Sequence, residues 1–182
     1  MTVSIKIRSA RRDDASALVA MHALSLRRLA SGFYEPEVLE AFITQGPMDL
    51  VMLDGDRYFV AEANGHILGS GGWSPNVPGY HASFEQQDTD TGMPSAVVRS
   101  LFVHPDAARR GIASALMMRV EAEIRAAGFN TASLHATLSG IPFYRGRGWR
   151  GGLPVVVGLP GGHSLVGLSM TKQLMGELKA AA

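Results

Sequence analysis

An apolar run, Val97-Val98-Arg99-Ser100-Leu101-Phe102-Val103-His104-Pro105, leads almost directly into Arg109-Arg110-Gly111-Ile112-Ala113-Ser114. The β-branched residues read as a buried strand, and Pro105 ends it. From Ile112 onward, Leu116, Val120 and Ile124 recur at a spacing of four, the stripe of a helix packed on one face. A strand, a basic turn with one glycine and a helix therefore follow in immediate succession. Gly111 allows close approach of the backbone to a ligand, and the N–H groups of a first helical turn point outward without acceptors. Helped by the helix dipole, such a turn can cradle a phosphate or pyrophosphate. An ordinary strand-to-helix turn with a basic start would look the same at this level.

The spacing is not the dinucleotide G-x-G-x-x-G, since Gly111 is the one glycine of the pattern present. Nor is it G-x-x-x-x-G-K-[ST], because no Lys-Ser or Lys-Thr follows. Arg109-Arg110-Gly111-Ile112-Ala113 instead resembles the coenzyme A pyrophosphate loop of the GCN5-related N-acetyltransferases, Gln/Arg-x-x-Gly-x-Gly/Ala. Ala108 stands at the first position of that pattern, so its side-chain part is missing. A second segment, His135-Ala136-Thr137-Leu138-Ser139-Gly140-Ile141-Pro142-Phe143-Tyr144-Arg145-Gly146-Arg147-Gly148-Trp149, resembles the family's later motif. There a strand end leads to a short helix carrying Phe-Tyr and then Gly-aromatic. The likeness is strong over about residues 96 to 150 and extends beyond by layout alone.

The resemblance implies an α/β fold: a mixed, mostly antiparallel twisted sheet, helices on both faces, and one splayed parallel strand pair. It implies acetyl-CoA as cosubstrate, held by the backbone of Leu101, Phe102 and Val103 along the pantetheine arm. The turn N–H groups of Arg109, Arg110, Gly111, Ile112, Ala113 and Ser114 would take the pyrophosphate. Tyr144 matches the family tyrosine that protonates the departing thiolate, and a phenol suits that task. A half-buried helix tyrosine with no chemical role is the alternative. Thr137 stands where many relatives carry Asn, and its hydroxyl could hydrogen-bond the cofactor.

The implied reaction is transfer of acetyl to the amine of a small molecule, by direct attack in a ternary complex. A direct route also fits the residues: there is no Cys, and no Ser or Lys lies in a recognised nucleophile motif. Acetylation of a protein or peptide amine, or a non-catalytic acyl-CoA sensor, remain open at this stage. The base that deprotonates the acceptor is Glu62, Glu85, His135 or a water chain. Strand alternation places Arg99 on the face of Leu101 and Val103, where a guanidinium could grip a carboxylate. Arg145, Arg147 and Arg150 could meet a 3′-phosphate or simply face solvent. The six histidines have no ligand spacing, so no metal is expected.

Length and charge bound the rest. At 182 residues the chain is expected to form one domain, 1–182, and its net charge of +1 gives no support to a nucleic-acid or membrane partner. The absence of cysteine accords with a cytoplasmic setting, and no window is apolar enough to span a membrane. The family resemblance leaves room for a homodimer.

The remaining elements follow from pattern. Val3, Ile5 and Ile7 alternate as a first strand; a helix capped at Asp13 or Asp14 runs to about Ala30; Glu35-Pro36 starts another, stopped by Gly46-Pro47. Two strands flank the turn Asn64-Gly65. On the cofactor helix, Arg119–Glu123 and Glu121–Arg125 read as outward i,i+4 pairs, with Gly128 as the stop. Strands at 131–135, 155–157 and 164–172 and a short helix at 141–145 complete the order. Residues 75 to 95 show no period and read as a loop, either a substrate lid or a plain connection.

Overall fold

The computed structural model describes residues 5–76 and 95–174. Among these residues seven strands form one sheet: β1 (Lys6–Ser9), β2 (Tyr58–Ala63), β3 (His66–Asn76), β4 (Ser95–Val103), β5 (Thr131–Thr137), β6 (Arg150–Gly158) and β7 (Ser164–Gln173). Their spatial order is β1-β2-β3-β4-β5-β7-β6. Every neighbouring pair is antiparallel except β4 and β5, which run parallel. That pair is joined at Ala96–Ala132 and Val97–Ser133 alone. Beyond Val97 the two strands part.

Among the described residues four α-helices accompany the sheet: α1 (Ala15–Leu29), α2 (Pro36–Gln45), α3 (Ile112–Ala126) and α4 (Ile141–Arg145). Two adjacent residues of β3 show how the layers stack. A side chain on Gly69 would lie 2.8 Å from Ile112 and 3.1 Å from Leu116, so α3 sits directly on that backbone. Ser70 points to the other face and meets His22 of α1 at 2.7 Å. Successive strand residues face opposite sides, so α3 and α1 cover opposite faces. The expected stripe Ile112, Leu116, Val120 and Ile124 is buried, and each such side chain is worth roughly 1.5–3 kcal/mol relative to exposure.

The local signals explain most elements. Asn64 and Gly65, both at positive φ, close a two-residue β2–β3 hairpin. Pro36 occupies the first turn of α2, and Gly128 at φ 88° ends α3 with Phe129 N–H donating to the Ile124 carbonyl. Asp14 does precede α1, yet its carboxylate turns back. It accepts from the Arg11 backbone at 2.8 Å and from Arg8 at 2.7 Å, tying β1 to the helix start.

Three expectations need correction. Pro75, Asn76 and Ser95 belong to strands and pair as Pro75–Ala96 and Asn76–Ser95, so the unpatterned segment is shorter than 75–95. Its interior, 77–94, lies outside the described residues, and the lid reading with it. Glu121 is buried, where the i,i+4 pattern placed it outward. Both its oxygens accept from Lys172 (2.8 and 2.9 Å), and Trp149 Nε1 donates to it at 3.2 Å. The buried face of α3 is thus wider than its aliphatic stripe. Arg119–Glu123 is the exposed pair expected, at 2.9 Å.

The third correction concerns β4. Ser70 pairs with Phe102 but Gly72 pairs with Arg99, so Gly71 alone faces both Ser100 and Leu101. This is a β-bulge, and Ser100 sits in it at φ 47°. The extra residue reverses the alternation. Leu101 and Val103 point toward α3, while Arg99 points with Phe102 toward α1, its Nε donating to Ser74 at 2.9 Å. Arg99 does not share a face with Leu101.

Candidate functional site

A cleft opens where β4 and β5 diverge. Its walls are Val98 to Phe102 of β4 and Leu134 to Thr137 of β5. Tyr144 lies along one side, and the far end is bounded by α2, the segment 47–52 and the tips of β6 and β7. The missing ladder is what makes the cleft. From Val98 and Leu134 onward neither strand offers the other a backbone partner, so their facing N–H and C=O groups are available to an extended ligand.

The bulge is held by a chain of buried side chains. The Tyr58 hydroxyl donates to the Ser100 carbonyl at 2.9 Å and lies 3.1 Å from Ser70 Oγ, which in turn meets His22 Nε2. Ser100 Oγ donates to the Pro47 carbonyl at 3.0 Å. One residue therefore ties the cleft's strand to β2 through its carbonyl and to the far-end segment through its hydroxyl. Those bonds offset the cost of a non-glycine residue at positive φ, on the order of 1–2 kcal/mol. His22 is fully enclosed, stacked on Phe102 at 4.3 Å, and burial pushes its pKa down to about 3.

At the other end of β4 the expected cradle has the geometry it needs. Arg109 (φ 62°) and Gly111 (φ 81°) both take left-handed backbone, turning the chain sharply into α3. Gly111 is the N-cap and has no side-chain cap. The first N–H groups of α3, Ile112 to Ser114, therefore have no intrahelical acceptor. A Cβ on Gly111 would meet nothing within 4 Å, so the space before the helix is open to a ligand. Arg109 and Arg110 flank it and are exposed. The residues fit an anionic group of pyrophosphate size. His104 is occupied locally, accepting from the Asp106 N–H at 3.3 Å.

Tyr144 is packed edge-on between Phe143 (5.2 Å) and Trp149 (6.1 Å), with Gly140 below its ring. Its hydroxyl makes no hydrogen bond with the described residues, and burial raises its pKa above the usual phenol value. It stays protonated through the neutral range. Thr137 lines the cleft, with Oγ1 3.1 Å from Ser139 Oγ. His135 also lines it; Nδ1 is buried without a partner among the described residues, and burial together with Arg99 lowers its pKa. The imidazole is thereby held toward its neutral form at the edge of the cleft.

The cleft does not gather every sequence candidate. Glu62 sits on β2 bound to Arg8 at 2.7 Å, away from the cleft lining. Glu85 lies outside the described residues. Leu101 and Phe102 line the cleft, Val103 packs beside α3, and Arg145, Arg147 and Arg150 lie near α4 outside the lining. Phe42, Met48, Asp49 and Met52 do line it, although the sequence around Gly46-Pro47 signals only a helix stop. Among the described residues no acidic and histidine group could hold a metal, and no helix is long and apolar enough to cross a membrane.

The model of the acetyltransferase (GNAT) domain matches residues 54–151, more than half of the chain. The chain belongs to the GNAT family. The match runs from just before β2 through the turn before α3 to the first residues of β6, so it contains the bulge, the cradle and Tyr144. The fold agrees across nearly the whole length with solved GNAT structures. A GCN5-related N-acetyltransferase from Rhodopseudomonas palustris superposes with TM-score 0.73 at 21% identity, over 95% of this chain and 98% of that one. The PaiA N-acetyltransferase of Thermoplasma acidophilum, solved in complex with coenzyme A, gives 0.67 at 18%, over 93% and 99%. YncA of Salmonella typhimurium, solved with acetyl-CoA, gives 0.61 at 18%, over 98% and 99%. At such identities the likeness concerns the fold. No curated protein sequence matches the chain.

Proposed function

We propose that this GNAT domain transfers acetyl from acetyl-CoA to the amine of a small molecule, acting as a single domain over 1–182. One observation carries the reading. The cleft between the parted strands brings Leu101, Phe102 and Tyr144 together with a pocket walled by α2 and segment 47–52, and β4 leads out of it toward the open turn at Gly111. A thioester arm and an acceptor can thus meet end to end inside it. The two GNAT relatives solved with coenzyme A or acetyl-CoA support the choice of cosubstrate.

Acetyl-CoA supplies an activated acetyl group. The chain's own residues bind and orient it: the first N–H groups of α3 and Arg109–Arg110 hold the pyrophosphate, and the backbone of Leu101, Phe102 and Val103, without a partner from β5, holds the arm. A backbone N–H at the bulge, beside Leu101, donates to the acetyl oxygen as negative charge develops there. Donors so placed are worth on the order of 3–4 kcal/mol in other acyl transfers. The acceptor arrives as an ammonium and must lose one proton before its nitrogen can attack; His135, which lines the cleft and is kept toward its neutral form, takes it directly or through water. The C–N bond forms, the C–S bond breaks, the sulfur leaves as thiolate, and the nitrogen gives up its second proton, which ends on the sulfur as the CoA thiol. Tyr144 donates a hydrogen bond to that sulfur. Because burial raises the phenol's pKa, stabilisation of the thiolate by that bond precedes full proton transfer.

The test is calorimetric titration with acetyl-CoA, followed by an assay of CoA release over a panel of amines. Micromolar binding with amine-dependent release is the expected result. Binding without release for any amine would favour the sensor, and no binding would overturn the reading.

A further inference from the structure

The far end of the cleft is chemically one-sided. Phe42, Met48 and Met52 stand on one wall, Val157 and Leu165 on the other, all apolar. Among the described lining residues Asp49 is the sole carboxylate. Its Oδ1 accepts from the Val51 N–H at 3.0 Å, where it caps a single 3₁₀ turn at Leu50–Asp54. That bond fixes the side chain and leaves Oδ2 for a ligand. The same wall is bonded to β4 through Ser100 and Pro47, so it is held in register with the reacting end.

Resting on the acetyl-transfer reading, we propose that the acceptor is a primary amine on an apolar aliphatic or aromatic body, without a carboxylate of its own. An ammonium entering an apolar pocket loses water and needs a counter-charge, which Asp49 provides. The carbon body then lies against Phe42 and the two methionines, whose unbranched thioethers adapt to flat or branched shapes. A polyamine would carry a second ammonium past the carboxylate into apolar wall. An amino acid would bring a like charge toward Asp49. Deprotonation to His135 and attack then proceed as above, with one proton released per amide formed.

The experiment uses the full chain and matched amines that differ by one group. Phenethylamine is set against phenylalanine, isopentylamine against leucine, and spermidine stands for the polyamines, with CoA release as readout. The expected kcat/KM is higher for each simple amine than for its amino-acid partner or for spermidine, by roughly tenfold or more, as befits a desolvated charge pair. Asp49→Asn keeps an acceptor for Val51 N–H, so the turn survives. In that variant KM for phenethylamine should rise about tenfold while KM for acetyl-CoA stays unchanged. Preference for phenylalanine or leucine would give Arg99 the leading role and overturn the proposal, as would preference for spermidine or an unchanged KM in Asp49→Asn. In each of those cases acetyl transfer itself stands. Absence of CoA release with every amine would remove both.

Discussion

The Tyr58 hydroxyl donates to the carbonyl of Ser100 at 2.9 Å, and this bond crosses from the middle of the sheet to the bulge that shapes the cleft. Tyr58 and Ser70 have no exposed surface, so nothing from solvent can replace the donor. Tyr58→Phe should therefore leave the Ser100 carbonyl short of a partner and cost about 1–3 kcal/mol of stability. If the bulge positions an N–H for the acetyl oxygen, kcat should fall as well, with KM for acetyl-CoA little changed. Urea melts and steady-state kinetics on one preparation separate the two effects. A stability loss with full kcat would make the bond purely structural.

Gly111→Asp should abolish acetyl-CoA binding. A Cβ at this position meets no protein atom within 4 Å, so the added carboxylate acts chiefly on whatever occupies the space beyond. Left-handed backbone at φ 81° adds a penalty of roughly 1–2 kcal/mol for any L side chain. Gly111→Ala, which carries the strain without the charge, is the control. Calorimetry should show loss in the Asp variant well beyond that in the Ala variant.

Removing the Tyr144 hydroxyl with Phe should lower kcat by at least about tenfold, at the lower end for loss of a general acid or donor. The ring contacts with Phe143 and Trp149 persist, so the unfolding midpoint and acetyl-CoA affinity should hold. The raised phenol pKa also implies that deprotonation of Tyr144 sets no alkaline limb near pH 10 in the wild-type profile. A well-folded variant with wild-type kcat would reject the role.

Stability should fall as pH drops from neutral to 5. His22 titrates near 3 in the fold but near 6.5 in the unfolded chain, so between those values only the unfolded chain takes up the proton. The slope is at most about 1.4 kcal/mol per pH unit below 6.5, near 2 kcal/mol by pH 5. His135, lowered in the same direction, adds to it. Asp14, whose pKa is depressed, keeps its contribution until the pH falls below the usual carboxylate range. Denaturant melts at pH 7 and 5 on wild type and His22→Asn check this; equal pH sensitivity in the two would rule out His22 as the source.

Periodicity carried much of the fold. The four-residue stripe on α3, the Asn64-Gly65 turn and the strand–turn–helix at 97–114 are local signals, and each formed as its neighbours in sequence dictate. What escaped depends on distant partners. A serine at positive φ has no mark in sequence, so the bulge at Ser100 and the reversal of Arg99 were invisible. Glu121 looked like a solvated helix glutamate because Trp149 and Lys172 reach it from β6 and β7 or their approaches. Asp49 and its two methionine neighbours lie in a stretch with neither a helical nor a strand period. Their meaning came from the strands they face across the cleft.

The thinness of the β4–β5 junction has a mechanical consequence. Two backbone pairings, Ala96–Ala132 and Val97–Ser133, form the seam between β1–β4 and β5–β7. Packing by α3 and α4 spans it on one side, but the ladder itself ends after a few ångströms. An extended amide-bearing arm lying in the gap would add the missing rungs and act as a temporary eighth strand. Cosubstrate binding and the tensile integrity of the sheet then become one event. Each departure of the arm would leave the seam with its two pairings again, and amide exchange on the cleft side of β4 would slow each time the arm returns.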